Sequence, residues 1–141
     1  MKVAYNNCFG GFSLSPVALT LFAKKKGITL TWYIQTGYAH QGNESYTKAE
    51  SIPEHRGMGN CPLIEDCGET INKIPNKSFY YPDLHDDARA DPDLISVIET
   101  LGAEANGMCS DLQIETIPDG SSFEITEYDG NESVEPPRQS W

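Results

Sequence analysis

The stretch DPDLISVIETLG, Asp91–Gly102, decides how the chain is to be read. Aspartate followed by proline is a strong helix start: the carboxylate accepts a free backbone N–H, and the proline ring already holds the helical φ. Leu94, Ile95, Ile98 and Leu101 then recur at helical spacing, and Gly102 stops the run. The spacing predicts a helix over 92–101 with one apolar stripe. On its C-terminal side, Leu112–Ile117 alternates and ends in Pro118-Asp119-Gly120. Phe123–Tyr128 alternates again and ends in Asp129-Gly130, and Asn131–Val134 adds a third short run. Asp-Gly between alternating runs is a strong hairpin signal, so 112–134 reads as a β-meander. Glu135–Trp141 reads as an extended tail stiffened by proline.

Toward the N-terminus the same start recurs at Ser15-Pro16. Val17, Ala18, Leu21 and Phe22 follow at helical spacing, Lys24–Lys26 suit the negative end of the helix dipole, and Gly27 caps it. A helix over 16–26 follows. Lys2–Asn6 before it, and the β-branched and aromatic Ile28–Gln35 after it, read as strands. Residues 36–76 carry Gly, Asn, Pro and charge without period, an unusual length of irregular chain for one domain, and Lys77–Tyr81 reads as a returning strand. The expected fold class is α+β in one domain. It comprises an N-terminal strand–helix–strand and a C-terminal helix with an antiparallel meander, forming a single sheet on which both helices pack.

Composition narrows the function. Of 141 residues, 38% are hydrophobic, enough for a core. The longest apolar run, Val17–Ala23, falls far short of the roughly 20 residues of a membrane span. The N-terminus, Met1 to Asn7, has no apolar segment of a secretory signal. The net charge of −11 disfavours long nucleic acid as a partner, because phosphate binding needs a basic surface. It leaves room for a small ligand in a pocket, or for a basic protein partner. The cysteines, Cys8, Cys61, Cys67 and Cys109, contain no C-x-x-C and read as free thiols. Zinc on Cys61, Cys67, His55 and His85 would lack the two close ligand pairs of a structural site. No nucleophile–base motif stands out: Cys8 has no histidine placed beside it by the sequence, and His85 among Asp83, Asp86 and Asp87 suits a polar loop as well as a metal. The expectation is no enzyme, no cofactor and no metal.

Two features point to a binding site instead. Asn6–Ser15 runs from strand through Gly10-Gly11 into a helix N-terminus, an order that can let backbone N–H groups cradle an anion, although glycine's permissive φ already explains it as a tight connection with Phe9 and Phe12 in the core. Arginine is scarce: Arg56, Arg89 and Arg138 only. Its guanidinium suits phosphate and stacks on rings. The candidate ligand-binding set is Tyr5, Gly10, Gly11, Phe12, Ser13, Arg89, Arg138 and Trp141, with phosphates on the glycine loop and arginines and a base on the aromatics.

Tyr5-Asn6-Asn7-Cys8-Phe9-Gly10-Gly11-Phe12-Ser13-Leu14-Ser15, Asp91-Pro92-Asp93-Leu94 through Glu99-x-Leu101-Gly102 to Ala105-Asn106-Gly107, Ile117-Pro118-Asp119-Gly120, Ile125-x-Glu127-Tyr128-Asp129-Gly130 and a final tryptophan after an arginine together resemble a widespread family of small tailed-phage and prophage proteins. These motifs cover about half the chain, at both ends. The middle, 36–80, has no counterpart in them, and the tail Pro136–Trp141 departs from the family's more basic ending. By analogy of size and genome context with small accessory phage proteins, rather than by a motif, the expectation is a counter-defence protein of the host-cell cytoplasm. On the same analogy, it would be a sponge that sequesters a cyclic-nucleotide immune signal of the CBASS type without catalysis. A homo-oligomer, a dimer or a multiple of one, is expected with it, since small pockets are often completed across closed symmetry. The alternatives are an acidic protein that covers a basic surface of a host defence protein, or a minor virion or assembly component.

Overall fold

The computed structural model describes residues 1–38, 42–54, 59–75 and 77–136. His40, His55, Arg56, Arg138 and Trp141 lie outside the described residues. The order is β1 (Lys2–Asn6), α1 (Pro16–Lys25), β2 (Thr31–Gly37), β3 (Ser45–Lys48), β4 (Asn60–Leu63), β5 (Thr70–Ile71), a 3-10 turn at Asp86–Ala90, α2 (Pro92–Leu101), a second 3-10 turn at Gly102–Ala105, β6 (Leu112–Thr116), β7 (Glu124–Tyr128) and β8 (Asn131–Glu135). The fold is α+β with antiparallel pairing throughout.

Both helices start as the sequence dictates. Ser15 Oγ accepts the Ala18 N–H at 3.2 Å, and Asp91 Oδ1 accepts the Asp93 N–H at 2.8 Å, each ahead of a proline. Ser15 is itself buried, and its hydroxyl also donates to the Glu104 carbonyl at 2.6 Å, so the cap of α1 is tied to the turn that follows α2. At the end of α1, Gly27 takes a φ of 82°, and the Ile28 N–H reaches back to the Ala23 carbonyl at 2.9 Å. This closure occupies Ile28, and it explains why β2 begins at Thr31 rather than at 28. The buried face of α1 is Ala18, Leu19, Phe22 and Ala23, with Val17 turned outward. That of α2 is Leu94, Ile95, Val97 and Ile98. These faces meet with Ala4, Leu14, Trp32 and Leu112 in the main core.

The single sheet expected from the sequence is instead three: β1–β6, β4–β2–β3–β5 and β7–β8. The meander over 112–134 divides because β6 pairs with β1, Asn6 opposite Leu112 and Lys2 opposite Thr116, while among the described residues β7 pairs with β8 alone. Within the stretch that carries no period, β3 and β4 pair with β2, and β5 pairs with β3. Trp32 faces the helices, and its neighbour Tyr33 faces the other way, into a second core with Tyr46, Cys61 and Leu63. That is the strand period of two at work. β4 stands at the edge of this sheet, where Pro62 lacks no ladder bond it needs. The strand expected over 77–81 reduces to a bridge between Phe79 and Leu63, with the Tyr80 N–H on the Pro62 carbonyl at 2.9 Å.

Candidate functional site

β1 ends in a buried asparagine. Asn6 donates from its side chain to the Cys8 and Gly130 carbonyls (2.7 and 2.8 Å) and accepts the Asp111 N–H at 2.8 Å. Its backbone N–H donates to Glu132 Oε1 at 2.9 Å. The same carboxylate takes both arms of Arg89, Nη1 on Oε1 at 2.5 Å and Nη2 on Oε2 at 2.9 Å, while Arg89 Nε donates to the Leu84 carbonyl. Both side chains are almost wholly buried. The planar guanidinium stacks on the Phe12 ring, 3.8 Å from its centre. An arginine, unlike a lysine, can do both at once because its fork is flat and rigid.

Phe12, Ser13 and Arg89 share a cleft of about 200 Å³ with Leu19, Tyr81 and His85. Tyr81 and His85 are exposed at its rim, whereas Arg89 is buried behind them. The His85 N–H is turned onto Asp83 Oδ1 at 3.0 Å, which shapes the rim as an Asx turn. Three of the eight residues singled out in the sequence therefore meet in one place. Tyr5 is half-buried in β1 opposite Gln113 and does not line this cleft.

Of the two readings of the glycine loop, the structure shows the tight connection and not the open cradle. The Gly10 N–H donates to the Asp129 carbonyl at 3.3 Å, and a Cβ at position 130 would lie 2.6 Å from the Gly10 nitrogen and collide with that of Gly11. A Cβ at Gly10 would meet that of Cys109 at 2.6 Å. The pair is packed between the β7–β8 turn and the 109 segment, and its permissive φ (133° and 96°) serves that close approach. The Ser13 carbonyl accepts from the Gly107 N–H (3.1 Å) and Ser110 Oγ (2.9 Å).

Glu132, which pairs with Arg89, and Asn6, which bonds the same carboxylate, were missed in the sequence. The available signal was slight: in a two-residue hairpin the alternation that puts Asn131 opposite Tyr128 fixes which way Glu132 faces. Among the described residues no three histidine, cysteine or acidic side chains gather into a possible metal site. Burial pushes the Cys61 and Cys67 thiols above their ordinary value, away from the thiolate a nucleophile or ligand needs. No described helix is long and apolar enough to cross a membrane. Comparison with protein-family models, curated proteins and solved structures returned no match.

Proposed function

We propose that this chain is a non-catalytic binding protein that takes the base of a small nucleotide in the Phe12–Arg89 cleft, and that it acts as a phage counter-defence sponge for a cyclic-nucleotide signal. The observation that carries the reading is the convergence of Phe12, Ser13 and Arg89 on one cleft with Tyr81 and His85 at its mouth. At about 200 Å³ the cleft is smaller than the roughly 300–1,000 Å³ that encloses a whole drug-sized ligand. It suits one planar base, with the remainder of the molecule outside. The Arg89 charge is already matched by Glu132, and Asp83 stands nearby, so the cleft offers no net positive charge to a phosphate. Affinity is then carried by stacking, worth about 1–3 kcal/mol per base. The phage setting rests on the motif resemblance.

Calorimetry against a panel of cyclic dinucleotides, mononucleotides and free nucleosides tests this. A nucleoside should bind nearly as well as its nucleotide, and Tyr81→Ala should weaken both by roughly tenfold, as the loss of one stacked base requires. Ligand recovered after denaturation should be chemically intact. If no member of the panel binds the parent chain at millimolar concentration, or if bound nucleotide returns hydrolysed, the reading fails.

A further inference from the structure

The exposed aromatic residues Phe9 and Tyr128 meet edge to face, centroids 6.5 Å apart, where the 9–11 loop crosses the β7–β8 turn. Phe9 is 59% exposed and Tyr128 79%, and Met108, next to the Cys109 that abuts Gly10, is 66% exposed. Two exposed aromatic rings in contact, with an exposed methionine one residue from the Cys109 that abuts the same loop, are unusual for a surface with no partner, and aromatics with methionine are the residues that interfaces favour. Glu127 and Asp129 flank Tyr128 in the chain, both exposed. Residues 90–136 hold twelve acidic side chains and no lysine or arginine, so this part of the chain supplies the whole of the net charge of −11.

We infer that the Phe9–Tyr128–Met108 patch is a docking surface for a basic protein segment, one that inserts apolar side chains against the two rings while its lysines or arginines meet the surrounding carboxylates. Charge chooses the occupant. A second copy would bring carboxylates against carboxylates, and a nucleic acid or anionic membrane would be repelled in the same way. The surface is also held ready. Asp129 and Gly130 both sit at positive φ, as a two-residue hairpin turn requires, and the Gly10–Asp129 bond fixes the two aromatic-bearing segments to each other. Beneath them the Arg89–Glu132 pair anchors β8. A site that needs no ordering loses less affinity on binding. This inference does not depend on what the cleft binds.

The test is titration of the isotope-labelled full chain with a synthetic peptide of alternating arginine and leucine, and with its glutamate–leucine counterpart, followed by NMR. Shifts should cluster at residues 9, 108 and 127–130 with the arginine peptide only and weaken as salt is raised. Phe9→Ser/Tyr128→Ser, which leaves every charge in place, should lower affinity about tenfold, as removal of anchor side chains does. Equal binding by this variant, shifts spread evenly over the acidic residues of 90–136, or equal binding of the glutamate peptide would overturn the inference. So would shifts at 9, 108 and 127–130 that depend on protein concentration alone, which would mark the patch as a contact between copies.

Discussion

Strand β1 serves two regions of the chain that are held by different forces. Its Ala4 lies in the apolar core that α1 and α2 supply with Leu19, Phe22, Leu94, Val97 and Ile98. Its Asn6, two residues on, lies in a buried polar clasp with Arg89 and Glu132 that fastens the β7–β8 hairpin. Apolar packing is tolerant, because each side chain contributes roughly its own area and a loss costs that area and the cavity left behind. A buried ion pair is brittle. Its Coulomb gain is largely offset by desolvation, yet removing one member strands the other without water or partner.

Replacing one end of the clasp should therefore have the largest effect. Glu132→Ala leaves the Arg89 cation and the Asn6 N–H unpaired inside the protein, and the expected loss is about 3–5 kcal/mol in urea unfolding. The comparison sharpens with the double variant Arg89→Met/Glu132→Leu, which strands no charge and should be less destabilised than Glu132→Ala alone. If the two substitutions merely add, the clasp is not a coupled pair. In the helix core, Leu94→Ala should cost roughly 2–5 kcal/mol. There a second substitution in α1 should add to the loss, with no rescue, when both are read from the thermal midpoint.

The helices were legible because their signals are local: a cap, a proline, a period and a glycine lie within a dozen residues. The sheet was not, and the two Asp-Gly pairs show why. At Asp129-Gly130 both residues take positive φ (50° and 85°) and the strands close on each other. At Asp119-Gly120 only the glycine does, because the chain is engaged elsewhere. The Ile117 N–H bonds the Met1 carbonyl at 2.8 Å, and the Asp119 carboxylate pairs with the N-terminal ammonium at 2.5 Å. One dipeptide, two outcomes: the distant partner decides, and no local pattern names it. Strands as short as β5, two residues, carry no readable period at all. The cleft was half legible on the same principle. Phe12, Ser13 and Arg89 announced themselves by type and position, whereas Glu132 and Asn6 join them only once β1 and β8 are brought together.

The smallest expected effect lies where the two helices touch through charge. Asp91 caps α2 and bonds Lys26, at the end of α1, at 2.7 Å. Partial burial pushes its carboxyl up, but the Lys26 ammonium and the Asp93 amide outweigh this and hold it below the usual carboxylate value. A folded-state pKa that is depressed stabilises the protein above the unfolded value of about 3.9, and that stabilisation is lost as pH falls through the folded one. Asp91→Asn keeps a good cap and removes the charge. It should lower the thermal midpoint slightly at neutral pH, and the gap from the parent should close in acid. A gap that persists unchanged into acid would assign the effect to the cap and not to the charge.

The pairing of β1 with β6 also sets an order of events during synthesis. Contacts that close long loops form late, and domains build as the chain emerges. Asn6 waits for Leu112, and Lys2 for Thr116, whereas α1 and the sheet built on β2 draw on residues already present. A ribosome that has reached the end of α2 thus carries a β1 whose backbone still lacks its antiparallel partner. Until β6 arrives, that strand offers an unpaired row of backbone donors and acceptors to a mistaken neighbour.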